Sequence, residues 1–150
     1  MEARTVKKSV IINAHAADVW KAITDPEMIK QYFFGTDIKT NWKVGSPINY
    51  SGIWKGKEYS DKGKILEIEK EKKIVHTHWS SLSGTEDIPE NYFTITYELE
   101  ERENDTVLCI TQTGLMTSDT HEHSAQNWEL VLQNLKELVE KEVVAGQVVS

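Results

Sequence analysis

Apolar positions in the last third of the chain recur at steps of three and four: Trp128, Val131, Leu132, Leu135, Leu138 and Val139. This spacing lines them along one face of a helix, and the intervening Glu129, Gln133, Asn134, Lys136, Glu137, Glu140 and Lys141 suit the solvated face. A long helix over 119–142 is predicted. Asp119 and Glu122 stand at capping-box spacing at its start, and Gly146 is the expected stop. Near the other terminus the period is two: Val6, Lys8, Val10 and Ile12 alternate with Lys7, Ser9, Ile11 and Asn13, which reads as a first strand. From Ala16 the pattern turns helical, with Val19, Trp20 and Ile23 on one face. Asp25-Pro26 then reads as an N-cap with proline at the first helical position, opening a second short helix that carries Ile29, Tyr32 and Phe33.

After Gly35 the strand pattern persists for most of the chain. Strands are expected over 36–42, then through Ile48, Tyr50 and Trp54 to a turn at Lys55-Gly56-Lys57, then over 58–69, 73–80, 92–99 and 106–114. Gly63 inside the 58–69 strand suggests a bulge or a sharp bend of the sheet. Segment 81–90 reads as loop. Short turns between successive strands imply antiparallel neighbours. The expected architecture is α+β: a curved antiparallel sheet of six or seven strands wrapped on the long C-terminal helix, with two short helices after the first strand. One domain is expected over 1–150, with its core over 6–142. The tail 143–150 carries four valines and is expected either to fray or to pair with another chain. A curled sheet meets a straight helix along only part of its length, and the remaining space holds either packed side chains or a cavity.

Composition narrows the functions. Seventeen lysines and arginines stand against 24 aspartates and glutamates, a formal charge of −7, and no basic run is long enough to follow a phosphate backbone. Nucleic-acid binding is therefore not expected. The opening Met1–Lys8 lacks the apolar core of a signal peptide, and no apolar run approaches the roughly 20 residues that cross a bilayer. A soluble, cytoplasmic protein without membrane insertion is expected. The one cysteine, Cys109, falls in an apolar strand pattern and is read as a small buried hydrophobe.

Several short pieces, in order, carry a family resemblance: Ala17-Asp18-Val19-Trp20 and Thr24-Asp25-Pro26-Glu27; Gly63 before Lys64-Ile65-Leu66-Glu67-Ile68; Lys73-Ile74-Val75-His76-Thr77; Thr111-Gln112-Thr113-Gly114; and Trp128-Glu129-Leu130-Val131-Leu132-Gln133-Asn134-Leu135. The order of elements resembles the helix-grip fold of the START and birch-pollen-allergen superfamily. Within it, the residues resemble the family related to the activator of the heat-shock protein 90 ATPase. This resemblance implies a small hydrophobic molecule held between sheet and long helix. Some members of the superfamily are enzymes, among them polyketide cyclases. Related sequences tend to place aromatic or apolar residues where this chain has His76 and His78, which share one face of their strand and point inward if Ile74 does.

The residues and the resemblance together give a candidate ligand site. Tyr50, Trp54, Phe93, Trp128 and Leu132 are the expected apolar wall, and His76, His78 and Gln112 the few hydrogen-bonding groups that orient a lipid-like or aromatic ligand. No metal site is expected. His76 and His78 need further ligands, and His121 and His123, two apart on a helix, point about 200° from each other. No cofactor loop, Gly-x-Ser-x-Gly elbow or activated cysteine is apparent, so no catalytic residue is assigned. Two other readings stay open. One is a co-chaperone acting on a heat-shock protein 90 ATPase. The other is a cyclase or hydrolase, whose sign would be a buried carboxylate beside the histidines. Glu58 and Asp61, near Gly63, are the candidates for an acid or base, but exposed strand-end carboxylates are common and the sequence identifies no buried one beside the histidines.

Overall fold

A computed structural model describes residues 1–149, with side chains through Gly146. Strand β1 (Glu2–Ile12) leads into α1 (Ala16–Thr24) and α2 (Pro26–Tyr32). Asp25 caps α2 as the sequence predicts: its carboxylate accepts the Glu27 N–H at 3.0 Å, and Pro26 takes the first helical position. Six strands follow, β2 (Asp37–Lys39), β3 (Pro47–Trp54), β4 (Lys57–Glu69), β5 (Lys73–Ser80), β6 (Phe93–Glu101) and β7 (Thr106–Met116), and then α3 (Ser118–Val149).

The seven strands form one antiparallel sheet in the order β1-β7-β6-β5-β4-β3-β2. Chain order and sheet order agree except that β1 closes on β7, which curls the sheet around α3. The apolar stripe of α3 enters the core as expected, with Trp128, Val131, Leu132, Leu135 and Val139 all buried. Inward residues of the sheet (Val6, Leu108, Ile110, Ile95, Ile74, Ile65, Ile48) and of α1 and α2 (Val19, Ile23, Ile29) meet them.

Four boundaries differ from the sequence reading. The expected 36–42 strand shortens to three residues, because Trp42 has φ +59°, outside the extended region. Asp119 does not cap α3. The cap is Thr117, whose hydroxyl accepts the Thr120 N–H at 3.1 Å. Gly146 does not stop α3, whose backbone runs helical to Val149 through most of the expected tail. Glycine is tolerated there at a modest energetic cost. The bulge in β4 falls at Leu66, between Ile65 and Glu67, rather than at Gly63.

The sheet has two edges. β2 is a three-residue edge, too short to template another strand. At the other, polar side chains of α3 reach over β1: His121 Nε2 donates to the Thr5 carbonyl at 2.8 Å and Lys136 Nζ to the Ile11 carbonyl at 2.8 Å, while Glu140 accepts the Asn13 N–H at 2.9 Å.

Candidate functional site

The β3–β4 hairpin builds the first half of the site. Its two-residue turn, Lys55-Gly56, has both φ angles positive (50° and 80°), the hairpin geometry that matches strand twist. This turn fixes the pairing Trp54↔Lys57 and hence Tyr50↔Asp61, so both side chains project from the inner face. On β5, Ile74 is buried, and His76 and His78 share its face.

Gly63 joins the two halves. A Cβ there would lie 1.7 Å from the Thr77 carbonyl oxygen, so only glycine allows β4 to cross β5 this closely. Regular pairing lapses at Gly63 and Lys64, and the Lys64 N–H goes to the Thr77 hydroxyl at 2.9 Å. The Thr77 carbonyl accepts from His76 Nδ1 at 2.8 Å. A carbonyl only accepts, so Nδ1 carries the hydrogen and Nε2 is left as an acceptor. Tyr50 Oη donates to that Nε2 at 3.3 Å. Burial pushes the His76 pKa down to about 4, opposed by the Thr77 carbonyl and reinforced by His78, so the ring is neutral near pH 7. Burial likewise raises the Tyr50, Tyr32 and Tyr97 hydroxyls far above the usual phenol range.

Above this sealed pair lies a second one. His78 Nε2 is 3.1 Å from Asp61 Oδ2, with the two side chains 25% and 15% exposed. The other carboxylate oxygen, Oδ1, is buried and has no hydrogen-bond partner among the described residues. Tyr50 stacks edge-on against His78, with ring centroids 5.5 Å apart. A partly exposed carboxylate, Asp61, thus stands beside the histidines.

Beside these groups, α2, the loop after it, and β3, β5 and β6 enclose a void of about 20 Å³ lined by Tyr50, His76, Tyr97, Phe33, Trp42 and isoleucines. It has room for about one water molecule. The seam between sheet and helices is thus filled by its own side chains. Phe33 closes it, packed against Tyr50 at 6.4 Å and Trp128 at 5.9 Å. Trp42 (φ +59°), which lines it, and Phe34 (φ +54°), next to Phe33, hold left-handed backbone that bulky residues rarely adopt, at a cost of about 1–3 kcal/mol each. A larger depression of about 710 Å³ lies on the outer face, among Lys7, Lys73, Glu98, Glu100 and Cys109. It is open and bordered by charges of both signs, unlike an enclosing ligand site. Cys109 is half-buried on that outer face rather than in the core.

Of the eight sequence-derived site residues, the structure brings Tyr50, His76 and His78 together. Gln112 is engaged elsewhere: it accepts from Trp128 Nε1 at 2.7 Å and donates to Ser124 at 3.2 Å, tying α3 to β7. Trp128 packs against Phe33 and Tyr97. Leu132 is buried under α3 and does not border the void. Phe93 pairs with His78 across β5–β6, its ring 2.7 Å from where a Gly114 Cβ would sit. Trp54, 38% exposed near the hairpin end, packs against Phe34 at 5.5 Å. Sequence reasoning places neither Phe33 nor Trp42 in the site; it turns Tyr97 toward the helix and weighs Asp61 as an acid or base, but includes neither in the candidate wall or its polar groups. The signal for Asp61 was available, because the Lys55-Gly56 turn dictates that it faces Tyr50. Among the described residues, no three histidine, cysteine or acidic side chains are grouped to hold a metal ion.

A curled antiparallel sheet closed on a long C-terminal helix, with two short helices after the first strand, defines the helix-grip class. Residues 13–140 match the family described as activator of Hsp90 ATPase homolog 1-like protein, and the chain belongs to that family. The solution structure of ChR145 from Cytophaga hutchinsonii is 38% identical, with a TM-score of 0.81 over 96% of this chain and 99% of that one. The Aha1 dimer from Colwellia psychrerythraea is 22% identical, covering 91% of this chain and 96% of that one at TM-score 0.73. Ara h 8.0201 is 14% identical, covering 92% and 98% at TM-score 0.72. The last two likenesses show the fold alone. No curated protein matches the chain significantly. No described helix is long and apolar enough to cross a membrane.

Proposed function

We propose that the protein binds a small hydrophobic or amphipathic molecule in the seam between the sheet and its helices. The wall would be Tyr50, Phe33, Trp42 and Tyr97, with His76, His78 and Asp61 as the polar groups. The observation that carries this reading is the stacked pair of polar contacts, Tyr50–His76 and His78–Asp61, set among aromatic rings beside a void. Packing alone would favour aliphatic groups there, since buried polar atoms stabilise little even when satisfied and are costly when not. In this reading Phe33 and Trp42 move outward to enlarge the void when a ligand enters, releasing the left-handed strain at Phe34 and Trp42. The test is native mass spectrometry of freshly purified protein. A mass excess that disappears on denaturation, with a lipophilic molecule recovered, is expected. A bare chain that also takes up no added aromatic or lipid-like probe would sink the reading.

Family membership favours a second reading, a co-chaperone that stimulates the ATPase of a heat-shock protein 90. It requires direct association and faster ATP turnover, and neither depends on the seam. Absence of both, with each protein in excess over the other, would remove it. The Asp61–His78 pair keeps an acid–base enzyme in view, with a bell-shaped pH–rate profile lost in His78→Gln as its mark.

A further inference from the structure

We propose that Asp61 and His78 form a selector that admits ligands through an uncharged hydroxyl, a phenol above all, and turns away anionic amphiphiles. The inference rests on the seam being a ligand site and adds the chemical class of what enters. Its basis is a count of donors and acceptors. His78 Nε2 donates to Asp61 Oδ2, since a carboxylate only accepts. Asp61 Oδ1 is a second acceptor, buried and without a partner among the described residues. The nearby donor is already committed, because the Tyr50 hydroxyl goes to His76. The unpartnered group beside Tyr50 is thus an acceptor, Asp61 Oδ1, and an incoming group that satisfies it must bring its own hydrogen.

Charge points the same way. Within ion-pair distance of Asp61, among the described residues, the one basic group is His78. The neighbouring Lys62 faces the other side of the sheet, over the Trp79 ring and paired with Asp87. A ligand carboxylate beside the Asp61–His78 pair would face the Asp61 carboxylate at reduced dielectric, with no lysine or arginine among the described residues paired to Asp61 to offset it. A phenol fits both constraints: its O–H satisfies Oδ1, and its ring lies along the Tyr50 and His78 rings, which already meet edge-on. The arrangement has two tiers. His76 and Tyr50 are buried, while the side chains of Asp61 and His78 keep 15% and 25% of their surface exposed; Oδ1 itself is buried and is reached as the seam opens.

Amide NMR titration of the intact protein near neutral pH with p-cresol, toluene and p-toluate tests this. These three probes share a tolyl ring and differ in what they present to Asp61. We expect p-cresol to bind about tenfold more tightly than toluene, the value of one good hydrogen bond, with shifts centred on Tyr50, Asp61 and His78, and p-toluate to bind most weakly. Asp61→Asn keeps the shape and removes the charge, and should raise p-toluate affinity to within about threefold of p-cresol. Equal binding of p-cresol and toluene, tightest binding of p-toluate, or an Asp61→Asn variant that still rejects p-toluate would each overturn the selector while leaving the seam as a binding site. If no probe shifts any residue of the seam, the selector and the ligand-binding reading fail together.

Discussion

His76 is an imidazole set into a floor of isoleucine and aromatic side chains, and its burial decides its charge. Its folded pKa of about 4 lies below its ordinary value of 6.5. Between these values the unfolded chain binds a proton that the folded chain refuses. Stability is thus complete above about pH 6.5 and falls as pH drops toward 4. A shift of this size corresponds to about 3 kcal/mol, which should appear as a falling urea midpoint across that interval. The double variant Tyr50→Phe/His76→Leu removes both partners of the buried bond and should flatten the slope. An unchanged slope would place the titration elsewhere. His76→Leu alone strands the Tyr50 hydroxyl and should be less stable than the double variant by about 1–3 kcal/mol at neutral pH.

At the level of elements, β4 explains both what the sequence revealed and what it hid. Its extent was legible from composition, as were β3, β5, β6 and β7, because turns and period-two patterning bracket each strand. The helical stripe of α3 was equally plain. The Leu66 bulge was not. Downstream of it Ile68 faces the core, and upstream Ile65, Gly63 and Asp61 do, so the inward set changes parity within one strand. Uninterrupted alternation from Ile68 turns Asp61 outward, so strand periodicity alone does not reveal that it faces the core. The aromatic loops were hidden for another reason: nothing local foretells that Phe34 or Trp42 will take left-handed backbone. Gly63 was noticed, but its role is close approach rather than bulging. Gly63→Ala should destabilise the protein by about 3 kcal/mol or more in chemical denaturation, because the added carbon meets backbone. Thr117→Ala should cost about 1 kcal/mol by loss of the α3 cap, whereas Asp119→Ala should cost only a few tenths.

Over the whole molecule, the sheet's two edges are protected unequally. β2 is short, whereas β1 is long and relies on side chains of α3 to occupy its outward backbone groups. Removing two of these side chains with His121→Ala/Lys136→Ala should expose a strand able to pair with a second copy. Light scattering should then report stronger concentration-dependent association than the native protein shows. A variant that stays as dispersed as the native chain would assign edge protection to the bulk of α3 instead.

The bulge at Leu66 also has a genetic consequence. A strand with an extra residue in its ladder carries one residue of slack, so loss of a codon near position 66 can be absorbed by pulling that slack straight. The chain would keep its inward set and its grip on α3, and would lose the local bend at the bulge. Gain of a codon at the same place has no such refuge, since it must turn the hairpin half of β4 inside out or open a second bulge. In descent, this stretch of the gene can shorten far more readily than it can lengthen.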